Sequence, residues 1–239
     1  MKKIAIIQAR LGSTRLPSKV MLDLAGKTVL ARVISRVRRI KGLDEVVIAT
    51  SDRLEDDIIA TEAGRLEVPV YRGSLENVLS RYYYAAKECK ADVIMRVTSD
   101  CPLICPEISE KVLEHFHPET LDYSSNVQER TYPRGLDTEV FSFDALHRCF
   151  VEAETDSQKE HVTQYINDNP KDFRYDSVYD SSKDMSHLRW TLDTLEDYVL
   201  IRKMYDYVND DTSYHEILDL VEKNPKWIEI NRMIEQKVN

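Results

Sequence analysis

Three largely apolar runs, separated by segments of helical periodicity, restrict this chain more than any other feature. They are Ile4 to Ile7, Val46 to Thr50 and Ala91 to Val97. Runs without alternation suit strands covered on both faces, as in a parallel sheet. Between the first two, KTVLARVISRVRR puts Val29, Leu30, Val33, Ile34 and Val37 on one helical face and leaves Arg32, Arg36 and Arg39 to face water. Glu55 to Gly64 reads as a second helix with Gly64 as its stop. A third carries Leu75, Val78, Leu79 and Tyr82 on one side. Strands alternating with such helices indicate a layered α/β fold with a largely parallel sheet.

Beyond Pro106 the rhythm loosens. YSSNVQERTYPRGLDTEVF, residues 123–141, reads as strands and turns, either an antiparallel lobe or a dimer-forming excursion. Phe173 to Tyr179 reads as a strand, LRWTL as a short one, Thr194 to Tyr207 as a helix, and the tail after Asp211 as further helices. Without a repeat or linker, residues 1–239 are expected to form one domain.

Composition narrows the partners. A net charge of -9 argues against broad binding to nucleic acid or anionic membrane. The first fifty residues nevertheless hold eleven Lys and Arg against three Asp and Glu, which suits a small anionic ligand or a well-solvated surface. MKKIAII is too short, and too soon followed by Arg10 and Arg15, for a signal peptide. No apolar run approaches the roughly 18 residues of a membrane span, so a cytoplasmic location is expected. Cys89, Cys101, Cys105 and Cys149 lack the paired spacing of a zinc site and read as reduced thiols.

The first strand empties into QARLGSTRLPSK. This is no dinucleotide fingerprint, and a Walker loop fails because its first glycine would fall at Met21. What remains is Gly12 for close backbone approach, Ser13 and Thr14 as hydrogen-bonding groups, and Arg10, Arg15 and Lys19 as cations. Such a set can neutralise a triphosphate, or be a solvated loop in which cations cluster.

RVTSDCP and RWTLDTLEDY hold the acidic candidates. Arg96 and Asp100 follow a strand, and ligands of open α/β sheets gather at the carboxyl ends of strands. Asp100 is placed to hold Mg²⁺ or to start a turn fixed by Pro102. Asp193 is a helix N-cap with Glu196 completing a capping box, or a second ligand of the same ion.

QARLGSTRLPSK, RVTSDCP, GLDTEVF, KEHVT and LRWTLDTLEDY, in that order, resemble the cytidylyltransferase family, which includes the synthetases that activate Kdo and sialic acids. Within it the chain looks most like the spore-coat polysaccharide synthesis branch. The resemblance implies a three-layer, Rossmann-like nucleotidyltransferase fold, CTP as donor, Mg²⁺ as cofactor, a sugar acid or sugar phosphate as acceptor, and a homodimer. Carried over residue by residue, Arg10, Gly12, Ser13, Arg15 and Lys19 match the motif that wraps the nucleotide phosphates, with Gln8 and Ala9 at the nucleotide-facing strand end. Asp100 and Asp193 match the metal-binding aspartates. Arg130, Arg134 and His161 are candidates for an acceptor carboxylate or phosphate, or plain structural residues. The segment 123–141 does not align with the sugar-binding region of the acidic-sugar synthetases.

The implied reaction is attack by an acceptor oxygen on the α-phosphorus of CTP, with Arg15 and Lys19 stabilising the departing pyrophosphate. Two rivals remain. A nucleotide-sugar-dependent glycosyltransferase uses similar parts but releases a nucleoside diphosphate. A catalytically silent nucleotide-binding protein of a polysaccharide assembly would use the tyrosine-rich stretch Tyr82, Tyr83 and Tyr84 as a docking face.

Overall fold

The computed structural model describes residues 1–236. Four parallel strands form its heart: β1 (Lys3–Gln8), β2 (Glu45–Ser51), β3 (Val70–Gly73) and β4 (Val93–Thr98). Three short strands extend the sheet beyond β4: β5 (Tyr123–Ser125), β6 (Glu139–Ser142) and β7 (Tyr175–Ser177). The order is β3-β2-β1-β4-β6-β5-β7, with β6 antiparallel to both β4 and β5. The excursion at 123–141 therefore joins the main sheet instead of making a separate lobe.

Helices cover both faces. α1 (Val29–Val37), α2 (Asp57–Arg65) and α4 (Pro106–His115) pack on the side to which Ala5 and Ile7 point. α3 (Val78–Glu88) and α5 (Phe143–Glu152) cover the side of Ile4 and Ile6, with the short α6 (Asp156–Glu160) and α7 (Gln164–Asp168) following. Successive β1 side chains thus enter opposite cores, which explains the unbroken apolar run. A third core gathers Leu24, Leu103, Trp190 and Leu192 beneath α8 (Leu195–Met204) and α9 (Tyr214–Lys223). The result is an α/β Rossmann-like nucleotidyltransferase fold. No described helix is long and apolar enough to cross a membrane.

Several local expectations change. Arg32 and Arg36 are buried, and only Arg39 of the three faces water. Arg36 donates to the carbonyls of Ile104, Asn209 and Thr212, so it ties α1 to two loops. Arg32 is held by Asp210 and by the carbonyls of Leu24 and Ala25. Helical periodicity assigned both to solvent because it assumes that only one stripe is covered; a third core lies on the other side of α1. Gly64 sits inside α2, and the left-handed residue that follows the helix is Glu67. Leu75 precedes α3. Phe173 to Tyr179 contributes only the three residues of β7, while LRWTL pairs solely through a bridge at Arg189 to Arg134. The cap of α8 is Thr194, boxed by Asp197, and not Asp193 with Glu196. The cap falls one residue later, which frees the Asp193 carboxylate for other work.

Candidate active site

The strand order reverses between β1 and β4: from β1 the chain builds outward through β2 and β3, then returns to place β4 on the other side. A crevice opens at the carboxyl ends of two such strands. Gln8 pairs in register with Thr98, so the opening loop and Asp100 leave the sheet side by side.

The loop then folds back on itself. Ser13 and Ser18 both donate backbone N–H to the Leu11 carbonyl, at 2.6 and 3.3 Å. Ser18 is left-handed, with φ 54°, and starts a 3₁₀ turn over Lys19–Met21 that aims Lys19 into the crevice. Lys19 Nζ donates at 2.7 Å to both Asp100 Oδ2 and Asp193 Oδ1. Burial alone would push the Lys19 pKa down; the two carboxylates outweigh it and the net shift is upward. Burial likewise opposes ionisation of Asp100, but Lys19 and the Thr98 hydroxyl hold its pKa below the usual carboxylate value.

Asp193 reaches this point because its segment is stitched to the β4 end: Leu192 N–H donates to the Asp100 carbonyl at 2.8 Å. Its carboxylate also meets Arg15 Nη2 at 3.1 Å and Arg189 Nη2 at 2.9 Å. Arg189 bridges in turn to the fully buried Asp197, which accepts from Asn231 and from the Asp193 and Thr194 backbone. The acidic pair is therefore braced by three cations.

Two cavities meet over this cluster. The first, of about 450 Å³, is lined by the opening loop, with Gln8, Ala9, Arg10, Gly12 and Ser13 among its walls. The second, of about 370 Å³, lies toward the excursion and includes Arg96, Arg134, Asp137 and Glu139. Arg15, Thr98, Asp100, His161 and Asp193 border both. All the loop residues singled out in the sequence thus reach the first cavity, together with Asp100 and Asp193. A Cβ added at Gly12 would meet no atom within 4 Å, so internal packing does not demand glycine there.

The three acceptor candidates part company. Arg134 and His161 line the second cavity, and burial lowers the pKa of each. Arg130 is spent on Asp137, donating both Nη atoms at 2.6 and 2.9 Å. Behind them Glu139 pairs with Arg96 and accepts from Tyr123 and Thr163 at 2.8 and 2.6 Å. Burial works against ionisation of Glu139, but Arg96 and these hydroxyls hold its pKa down. Arg10 forms an ion pair with Glu160 at 2.8 Å at the cavity mouth.

Arg81, which also lines the first cavity, and Arg189, Asp197 and Glu139 escaped the sequence reading. Arg189, Asp193 and Asp197 recur every four residues, and a cation in the apolar strand VIMRV calls for a buried acid. Those are the signals that could have found three of them. The cysteines are free thiols, three of them buried. Tyr82 is buried with its hydroxyl on the Ile6 and Val97 carbonyls, and Tyr83 stacks on Phe150, so core packing accounts for two of the three tyrosines.

A family described as cytidylyltransferase matches residues 4–237. The chain is 38% identical over 242 residues to an uncharacterized protein of Methanocaldococcus jannaschii, covering 99% of this chain and 97% of that one. It is 34% identical to the spore coat polysaccharide biosynthesis protein SpsF of Bacillus subtilis, over 92% of this chain and 94% of that protein. A solved structure of a cytidylyltransferase from Leptospira borgpetersenii superposes with a TM-score of 0.92 at 31% identity, covering 100% of this chain and 99% of that chain.

Proposed function

The chain belongs to the cytidylyltransferase family, and from that premise we propose that it moves a cytidylyl group from CTP to a sugar acid or sugar phosphate, with Mg²⁺, in building a surface polysaccharide. The observation that carries this reading is the pair of cavities sharing Asp100 and Asp193. A donor in one and an acceptor in the other would meet where the two carboxylates converge.

The carboxylates fit a hard divalent cation. They are oxygen donors close enough to share one positive group, Lys19, at 2.7 Å each. Among the described residues no group of three or more His, Cys, Asp or Glu is placed to hold a metal ion by itself. Two protein carboxylates with phosphate oxygens and water completing the shell is how Mg²⁺ is commonly held beside nucleotides. Asp100 and Asp193 would hold the ion, which would supply charge neutralisation and Lewis-acid polarisation of a phosphoryl group.

The protein's own groups do the rest. Arg10, Ser13 and the Gly12 backbone receive the triphosphate, and Gln8 and Ala9 form the floor at the strand end. Arg15 and Lys19 lie on the pyrophosphate side and stabilise its charge as the bond to the α-phosphorus breaks. Arg134, which lines the second cavity, orients an anionic acceptor. His161, which borders both cavities, hydrogen-bonds an acceptor hydroxyl. The new bond joins the acceptor oxygen to the α-phosphorus and pyrophosphate leaves. Residues 1–239 act as one catalytic domain, in a homodimer.

The test is a ³¹P NMR screen of the protein with Mg²⁺, each of CTP, UTP, GTP and ATP, and pooled sugar acids and sugar phosphates. Pyrophosphate forming from CTP with one pool is the expected result. Release of a nucleoside diphosphate from a nucleotide sugar would mark a glycosyltransferase. Tight CTP binding with no turnover in any pool would mark a silent binding protein. Light scattering of the same preparation checks the dimer.

A further inference from the structure

Asp56 stands at the start of α2, where a short carboxylate ordinarily caps its own helix. It makes no such cap. The side chain is fully buried and reaches 45 residues back along the chain. One oxygen accepts the Leu11 backbone N–H at 2.8 Å, and the other accepts the Ser51 hydroxyl. Both donors are neutral, and a carboxylate taken out of water is costly unless firmly bonded. What depends on the Leu11 peptide explains why a carboxylate is kept there.

That peptide is the hub of the opening loop. Its N–H goes to Asp56, and its carbonyl accepts from both Ser13 and Ser18. Ser18 in turn begins the turn that presents Lys19, closed by Met21 N–H donating to the Ser18 carbonyl at 2.9 Å. Lys19 ends between Asp100 and Asp193. One series of hydrogen bonds thus runs from the start of α2 to the acidic pair. The anchor is itself well tied. Arg72, on β3, donates to the carbonyls of Ser51 and Arg53 at 3.0 and 2.9 Å. Asp52 N–H donates to the Gly73 carbonyl at 2.8 Å.

We propose that Asp56 is the positioning residue of the opening loop: by fixing the Leu11 peptide it sets the Ser18 turn and keeps Lys19 on the two carboxylates. Asp56 lines neither cavity, so it acts only through Leu11. A charged acceptor makes a short, strong bond to a backbone N–H, which suits a strut. Loosening the loop has opposite consequences for two ligands. Lys19 leaves the carboxylates, so a divalent cation meets less competition there. Arg10, Ser13 and Arg15 lose their arrangement, so a polyphosphate binds less well. General damage to the fold would weaken both. The placement rests on geometry alone, whereas its effect on phosphate binding rests on the nucleotide reading of the first cavity.

The experiment uses the full, nucleotide-free chain and its Asp56→Ala and Asp56→Asn variants. It reads hydrogen exchange at the Leu11 and Ser18 amides by NMR, Mn²⁺ affinity by electron paramagnetic resonance, and calorimetric affinity for metal-free inorganic tripolyphosphate. In Asp56→Ala, exchange at Leu11 and Ser18 should quicken by about tenfold or more, while Ile48 and Ala63 change by less than about threefold. Mn²⁺ should bind roughly threefold or more tighter, and tripolyphosphate about tenfold weaker. A side-chain amide keeps an oxygen for Leu11 and offers its NH₂ to Ser51. Asp56→Asn should therefore stay within about threefold of the wild type in all three.

Unchanged loop exchange in Asp56→Ala overturns the proposal. So does a parallel fall in both affinities, or exchange at Ile48 and Ala63 that rises with the loop, since either makes Asp56 merely structural. An Asp56→Asn variant as damaged as Asp56→Ala also overturns it, because charge and not the bond to Leu11 would then matter. If Asp56→Ala does not fold, an ester in place of the Leu11 amide, introduced with the α-hydroxy analogue of leucine, removes the same bond. Wild-type Ser18 exchange and Mn²⁺ affinity in that ester would sink the proposal. A wild type that binds neither tripolyphosphate nor CTP with Mg²⁺ refutes the nucleotide reading, and exchange and Mn²⁺ affinity still decide the role of Asp56.

Discussion

Lys19 stands 2.7 Å from Asp100, a residue 81 positions away, and its ammonium occupies the point where the Asp100 and Asp193 carboxylates converge. The acidic pair therefore carries its own counter-ion before any ligand arrives. Lys19→Met should raise the affinity of the nucleotide-free protein for a divalent cation, since two carboxylates lose the group that competes for them. Turnover should fall by about 10²- to 10³-fold if the Lys19 charge stabilises the leaving group as proposed. Mn²⁺ titration followed by electron paramagnetic resonance reads the first effect without any reaction. Unchanged Mn²⁺ affinity would show that Lys19 does not compete for the site.

Asp197 braces the same cluster from behind. It is fully buried and takes hydrogen bonds from Arg189, Asn231 and two backbone amides. Asp197→Ala should cost about 3–5 kcal/mol of stability, because the nearly buried Arg189 loses its deepest partner. Asp193→Asn keeps that buried pair and should cost far less. Urea denaturation of both variants checks the order, and equal losses would mean that Asp197 is no brace.

The Glu139 pair makes stability depend on acid. In the folded chain Glu139 has a pKa below its ordinary 4.5, since Arg96, Thr163 and Tyr123 together outweigh the burial that opposes ionisation. The unfolded chain therefore takes up this proton first as pH falls. Stability from Glu139 is complete above the unfolded value and drains away as pH drops through the folded one. Glu139→Gln should lower stability at neutral pH and flatten its fall on the acid side. Urea midpoints measured between about pH 3 and pH 6 test the slope. An unchanged slope would remove Glu139 from the acid transition.

Gly135 holds the excursion against the segment that delivers Asp193. Its φ is +105°, and an added Cβ would lie 2.5 Å from the Trp190 carbonyl carbon and 2.6 Å from the Thr191 nitrogen. Those are backbone atoms and cannot turn away. Gly135→Ala should cost about 3 kcal/mol or more, through both strain and displacement. It should also loosen the contacts in which Arg134 N–H donates to the Leu188 carbonyl and Trp190 N–H to that of Arg134. Hydrogen exchange at Trp190 reads this directly. Protection as high as in the wild type would show that the backbone absorbs the extra carbon elsewhere.

Much of the molecule is legible in local patterns. The unbroken apolar run of β1 announces a strand buried on both faces, and the structure indeed splits Ile4 and Ile6 from Ala5 and Ile7 into separate cores. The opening loop is legible as a polar set at a strand end, and the structure places Gln8, Ala9, Arg10, Gly12, Ser13, Arg15 and Lys19 along one cavity. Capping is legible only to within a residue: Thr194 and Asp197 are spaced like Asp193 and Glu196, and backbone geometry chooses between them. The solvent-facing arginines of α1 show the limit of periodicity. It identifies the most apolar stripe, but it cannot tell that Arg36 will find three carbonyls from distant loops.

The sequence by itself determined the strand–helix alternation, the family and the short list of polar residues near strand ends. Those depend on neighbours within a few positions, where spacing and side-chain chemistry are enough. Only the tertiary structure decided that Lys19, Asp100 and Asp193 share one point, that Arg130 is spent on Asp137 while Arg134 lines a cavity, and that Arg81 is buried without a partner. Each of those facts depends on which chain segments the crossover between β1 and β4 brings together. Contact across long stretches of chain is set by packing of the whole, and it leaves no mark on the local pattern.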